Sequence, residues 1–214
     1  MASAVLASKN PYADAPRLPE GERIDPRAIL GAGGRPVELE IGPGRGGFLV
    51  DRLAAHPDLC MLGLEIRKKW AALVDRRLVE RFEGRGRVFA DDAGPALRRF
   101  ADGSVRAVFV HFPDPWWKKR HFKRRVVTAG LVADVARVLA PGGLLFLQTD
   151  VADRALDFEA LFAGEPRLRP RATGDPAVPS ARIGENPFGA MSPRERRAVV
   201  DGLPIVRLLY ERRG

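Results

Sequence analysis

The chain has 214 residues, 45% of them hydrophobic, and a formal net charge of +9. That length supports one large domain with a substantial core, and the composition excludes a chain disordered throughout. The excess of base favours an acidic partner, nucleic acid ahead of an anionic membrane surface, because no apolar run approaches the ~20 residues of a spanning helix.

Met1 to Ala7 is too short an apolar stretch for a secretory leader, so a cytoplasmic enzyme is expected. Cys60 is the only cysteine, which excludes a disulfide frame and a multi-thiolate metal site, and its apolar surroundings make it a small core residue. Residues 1–34 carry Pro, Gly, Ala and scattered charge without periodicity. They read as an irregular arm with a helical turn near Pro26 to Leu30, either ordered by RNA or draped over the domain. Residues 35–214 form that domain.

Val37 to Ile41 reads as a strand closing on Gly42-Pro43-Gly44-Arg45-Gly46-Gly47, with a helix following to about Ala55. Leu59 to Ile66 is a second strand that carries Glu65 at its end, and a helix runs from Arg67 to Arg81. Arg85 to Ala90 is a third strand, ending at Asp91-Asp92-Ala93, and a helix covers Gly94 to Phe100. Val105 to Phe112 is the fourth strand. Val126 to Leu139 has helical spacing, stops at Pro141-Gly142-Gly143, and leads to a fifth strand, Leu144 to Thr149, ending at Asp150. Asp153 to Phe162 is helical. Possible strands lie at Leu168 to Thr173 and Ile205 to Tyr210. Alternating strands and helices predict a doubly wound, mostly parallel sheet with all strands in one core.

In such sheets ligands bind outside the carboxyl ends of the strands, where the acids and glycines of this chain gather. The glycine run lets the backbone turn with positive φ and approach a ligand closely, which alone suits NAD, FAD or S-adenosylmethionine equally, or a plain tight turn. Glu65, about twenty residues on, can grip two ribose hydroxyls, and Asp92 can meet an adenine. Glu40 inside an apolar strand is costly unless it faces the crevice or pairs with a base such as Arg45. His56, His111 and His121 do not group with acids at ligand spacing, so no metal is implied, and His111 reads as a packed or a hydrogen-bonded residue.

The most informative stretch follows the fourth strand: Phe112-Pro113-Asp114-Pro115-Trp116-Trp117, then six cations (Lys118, Lys119, Arg120, Lys123, Arg124, Arg125) with no acid among them. The prolines push Phe112 and Asp114 toward an extended turn, the tryptophans offer flat faces for stacking, and the cations suit phosphates. Farther on, Ser192-Pro193-Arg194-Glu195 reads as a capping box opening a short helix, or as a hydroxyl and carboxylate that grip a base edge.

The run Phe112-Pro113-Asp114-Pro115-Trp116, with Lys118, Arg120-His121 and Lys123-Arg124-Arg125, resembles the signature of the bacterial tRNA (guanine-N7)-methyltransferase family. Glu40-Ile41-Gly42-x-Gly44-x-Gly46, Gly63-x-Glu65, Asp92-Ala93, Thr149-Asp150 and Ser192-x-x-Glu195-x-Arg197 are similar to further family motifs, over residues 36–213. The resemblance implies a Rossmann-like class I methyltransferase fold and transfer of a methyl group from S-adenosylmethionine to N7 of the variable-loop guanosine of tRNA. It further implies donor contacts at Glu40, Gly42, Gly44, Gly46, Glu65, Asp92 and Asp114, with Asp114 catalytic, and tRNA contacts at Lys118, Asp150, Ser192 and Glu195. Ser192 stands where the family usually has threonine, and Pro193-Arg194 replaces a usual Lys-Phe pair. A non-catalytic RNA-binding protein on this fold, a nicotinamide oxidoreductase and a methyltransferase with another acceptor are the rival readings. The resemblance leaves monomer and homodimer open.

Overall fold

A computed structural model describes residues 11–113, 126–171 and 180–214. Among the described residues eight strands occur: β1 (Val37–Ile41), β2 (Cys60–Leu64), β3 (Gly86–Phe89), β4 (Val105–His111), β5 (Leu139–Thr149), β6 (Leu168–Pro170), β7 (Arg182–Ile183) and β8 (Val206–Arg212). They form one sheet in the order β3-β2-β1-β4-β5-β8-β6, with β7 also paired to β8. The first five run parallel; β8 runs antiparallel to β5, β6 and β7. The order reverses between β1 and β4, which places a topological switch point beside the glycine run.

All five residues of β1 and of β2 are buried, as expected for strands covered on both faces. One face carries α2 (Gly47–Ala55) and α3 (Lys68–Phe82), whose Phe48, Leu49, Leu53, Val74 and Leu78 pack with Phe109 and Phe146 of the sheet. The other carries α4 (Ala93–Arg99), α5 (Ala129–Val138) and α6 (Ala152–Ala163), packed on Leu39, Leu62, Val108 and Leu147. Cys60 is fully buried, and that burial pushes its thiol up from the ordinary range.

Most predicted boundaries hold within two residues. Strand β5 departs, beginning at Leu139 directly after α5 instead of at Leu144. Its register against β4 shifts between Val105 and Ala107, and at that bulge a Cβ on Gly143 would come 2.7 Å from Ala140 O and 2.9 Å from Arg106 O. The strand expected at Leu168 to Thr173 is observed as β6, its last two residues lying outside those described, and β7 was not anticipated.

The arm drapes over the domain from at least Ala15 onward. A helical turn, α1 (Pro26–Ile29), forms where expected, capped by the Asp25 side chain, while Leu18, Ile24, Leu30 and Ala32 are buried in the core.

Beneath the sheet, Glu38 of β1 receives a two-pronged bond from Arg52 of α2, with both distances 2.9 Å, and pairs with Arg106. Arg52 also donates to the Phe188 carbonyl at 2.6 Å, tying the segment before the last helix, α7 (Pro193–Val200), to α2.

Candidate active site

The carboxyl edge of the sheet is built from the turns that follow β1 to β5. After Ile41 the chain passes through Gly42, Gly44 and Gly46 with φ of +71°, +55° and +71°, the left-handed region that glycine enters without penalty. Gly46 has a second requirement: a Cβ there would lie 2.3 Å from the Val74 side chain, so α3 packs against bare backbone. Among the described residues nothing lies within 4 Å of the place a Cβ on Gly42 would occupy, so none of them closes the loop on that side.

Glu65, 2% exposed at the end of β2, braces this loop. Its Oε2 accepts from the Gly44 amide at 2.9 Å, and its Oε1 accepts from Arg67 N at 2.9 Å and Arg67 Nε at 3.0 Å. The acid therefore shapes the glycine turn directly. Asp92, at the end of β3, is exposed and caps α4 by accepting from Gly94 N at 3.1 Å.

Glu40 is 2% exposed, and its partner is His111 of β4, not Arg45. The His111 Nδ1 to Glu40 Oε1 distance is 2.7 Å, and the imidazole rests on Phe48 at 4.3 Å between ring centres. Arg45 instead lies over Trp70 at 5.1 Å. Glu40 Oε2 and His111 Nε2 are buried without a hydrogen-bond partner among the described residues. Sequence reading takes His111 as packed or hydrogen-bonded, and the hydrogen bond is found, but it does not name Glu40 as the partner, since nothing local connects positions 40 and 111.

The chain leaves β4 through a turn that departs from expectation. Phe112 has φ +48°, a left-handed value rare for a bulky side chain, in place of the extended conformation predicted ahead of Pro113. Its amide is held by Gln148 O at 2.7 Å, so the sheet bond to β5 persists while the chain swings away. Such strained residues cluster at functional sites and cost about 1–3 kcal/mol each. Asp114, Trp116, Trp117, Lys118 and the following cations lie outside the described residues.

The tail returns to this edge. Ser192 caps α7, its Oγ accepting from Glu195 N at 3.1 Å, so the capping role expected of the serine is realised. Glu195 is fully buried and accepts from Gln148 Nε2 at 2.8 Å, Asn186 Nδ2 at 2.9 Å and Arg207 Nη2 at 3.2 Å. Gln148, Asn186 and Arg207 were missed by sequence reading; a glutamine in the apolar run Leu144 to Thr149 was the available signal. Arg194 pairs with Asp150 at 2.5 Å and lies over the Phe112 ring at 5.6 Å, linking the tail to the strained turn. Pro193 abuts α2 so closely that a Cβ on Gly47 would come 2.7 Å from its ring.

A family model described as "Putative methyltransferase" matches residues 34–207. The tRNA (guanine-N(7)-)-methyltransferase of Synechococcus sp. (strain JA-3-3Ab) is 40% identical over 184 residues, spanning 84% of this chain and 74% of its own. That of Rhodopirellula baltica is 33% identical over 226 residues, spanning 100% of this chain and 81% of its own. The chain belongs to the tRNA (guanine-N7)-methyltransferase family. Among solved structures, the 16S rRNA methyltransferase KamB superposes with a TM-score of 0.61 at 14% identity, over 91% of this chain and 96% of that one. The cyclase SpnF gives 0.54 at 13%, over 87% and 79%. These two share the fold alone, and the second shows that the fold does not dictate the chemistry. Family membership makes the chain a methyltransferase enzyme and excludes the nicotinamide and non-catalytic readings. No helix among the described residues is long and apolar enough to cross a membrane, and no group of acids, histidines and cysteines among them could hold a metal ion.

Proposed function

We propose that this methyltransferase carries a methyl group from S-adenosylmethionine to N7 of the variable-loop guanosine of tRNA, in the cytoplasm. The observation that carries the reading is the bond from the Gly44 amide to Glu65, which joins a left-handed glycine turn to a buried acid at the switch point of the sheet. The chemistry of these residues suits the donor. Its amino-acid end would lie over Gly42 to Gly46, with Glu40 Oε2, unpartnered among the described residues, as an acceptor for the ammonium. Its ribose would lie at Glu65 and its adenine toward Asp92.

When bound, S-adenosylmethionine supplies an electrophilic methyl on a sulfonium. The chain's own task is placement: N7 of guanine carries a free lone pair and needs no base to activate it. Holding the two reactants in line is worth up to ~7–11 kcal/mol in well-oriented systems. Asp114 would accept from guanine N1–H and N2–H₂ and offset the positive charge that builds on the purine. Trp116 or Trp117 would stack on the base, worth about 1–3 kcal/mol. Lys118 and the cations after it would hold phosphates, with Asp150 and the segment from Ser192 to Glu195 at the edge of the RNA site.

The deciding experiment is transfer of labelled methyl from S-adenosylmethionine to bulk tRNA, followed by nucleoside analysis. Labelled 7-methylguanosine is expected; donor binding with a different labelled nucleoside would move the acceptor elsewhere. A second expectation concerns Glu65. Glu65→Ala removes two ribose acceptors and the partner of the Gly44 amide, so affinity for S-adenosylhomocysteine should fall about a hundredfold. Titration calorimetry reads this directly, and unchanged affinity would place the donor away from β2.

A further inference from the structure

Residues 15–18 of the arm cross the carboxyl edge of the sheet at the end of β3. Ala15 is buried in the cluster on the α2–α3 face, and Leu18, three residues on, in the cluster on the opposite face. Between them the chain is fastened to the turn that follows β3. Ala90 N donates to Pro16 O at 2.6 Å, and Leu18 N donates to Asp91 Oδ2 at 2.8 Å. Arg17 Nη2 lies 3.0 Å from Asp91 Oδ1, so both carboxylate oxygens of Asp91 are engaged by the arm. Farther along, Arg99 donates to the carbonyls of Pro19 and Gly21, and Ile24 bonds to Arg99 O at 2.7 Å and receives Ala101 N at 2.8 Å.

We propose that this crossing forms the outer wall of the site for the adenosine half of the methyl donor; the proposal rests on the transferase reading above. The glycine turn follows β1, Glu65 follows β2, and the next strand outward is β3, so a ligand extended along this edge ends beside Asp91 and Asp92. An open sheet edge offers a flat purine one supporting surface, whereas a binding site encloses most of its ligand. The arm supplies the missing side. By engaging Asp91 it also divides the labour of the acidic pair: Asp91 anchors the wall, and the exposed Asp92 faces the ligand. Wall and donor then stabilise one another, because each finds its best surface when the other is in place.

The test uses the full chain and S-adenosylhomocysteine. Asp91→Ala leaves the Leu18 amide without its acceptor, and calorimetry should show the ligand bound about tenfold more weakly, with circular dichroism unchanged. Arg17→Ala, which removes only the exposed half of the anchor, should cost about threefold or less. In the unmodified chain, saturating S-adenosylhomocysteine should slow deuterium uptake in peptides spanning residues 12–20. Two results together overturn the wall and leave the transferase reading standing: equal affinity in Asp91→Ala, and uptake over residues 12–20 indifferent to bound ligand. Absence of binding by the unmodified chain would bring down both.

Discussion

Glu195→Ala is expected to destabilise the protein by about 3–5 kcal/mol, the cost of leaving a buried charge without its partner. Glu195 has no exposed surface and gathers three donors from three separate places: Gln148 on β5, Asn186 in the segment before α7, and Arg207 on β8. Alanine would leave the Arg207 guanidinium facing a void, although its Nη1 still reaches Gly184 O at 3.0 Å, and would strand two amides. Urea denaturation should show the loss, with a melting temperature lower by roughly 10 °C. Glu195→Gln, which keeps an acceptor but not the charge, should lie between. The measurement also separates two roles for this acid. A variant of normal stability that binds tRNA poorly would make Glu195 a direct RNA contact and not the keystone of the tail.

The second large effect is expected at Asp114. Asp114→Ala should lower the rate of methyl transfer in a single turnover by about a hundredfold to a thousandfold, the range seen when a group aimed at developing charge is removed. Affinity for tRNA should change by no more than about threefold, because phosphate contacts dominate such binding. Asp114 lies two residues beyond Phe112, whose left-handed φ and bond to Gln148 set the direction in which the turn leaves β4. Filter binding and quenched-flow transfer, run on the same preparation, distinguish the outcomes. An unchanged transfer rate would remove Asp114 from the chemistry.

Much of this architecture is legible in the sequence because it depends on neighbours in the chain. Apolar runs such as Cys60 to Leu64, the positive-φ glycines after Ile41, and the serine that caps α7 each report local conformation, and each is found where the pattern places it. Features that depend on distant partners are not legible. Glu40 in an apolar strand signals a need for a partner but not which one, and the answer, His111, is 71 residues away on the adjacent strand. The rule that a residue before proline is extended fails at Phe112, which keeps its amide bond to Gln148 while its φ is left-handed. Glu195 shows both cases at once. Its backbone place in the first turn of α7 follows from the spacing, whereas the burial of its carboxylate comes from Gln148, Asn186 and Arg207.

The contact between Gly47 and Pro193 makes the two ends of the catalytic domain mechanically one. Gly47 opens the helix that grows from the glycine turn, Pro193 opens the helix of the tail, and the space between them does not admit one further carbon atom. With RNA at α7 and the donor at the glycine turn, as proposed above, a displacement of α7 would bear directly on the start of α2. Thermodynamic reciprocity then requires the converse: whatever factor bound RNA imposes on donor affinity, bound donor imposes on RNA affinity in equal measure.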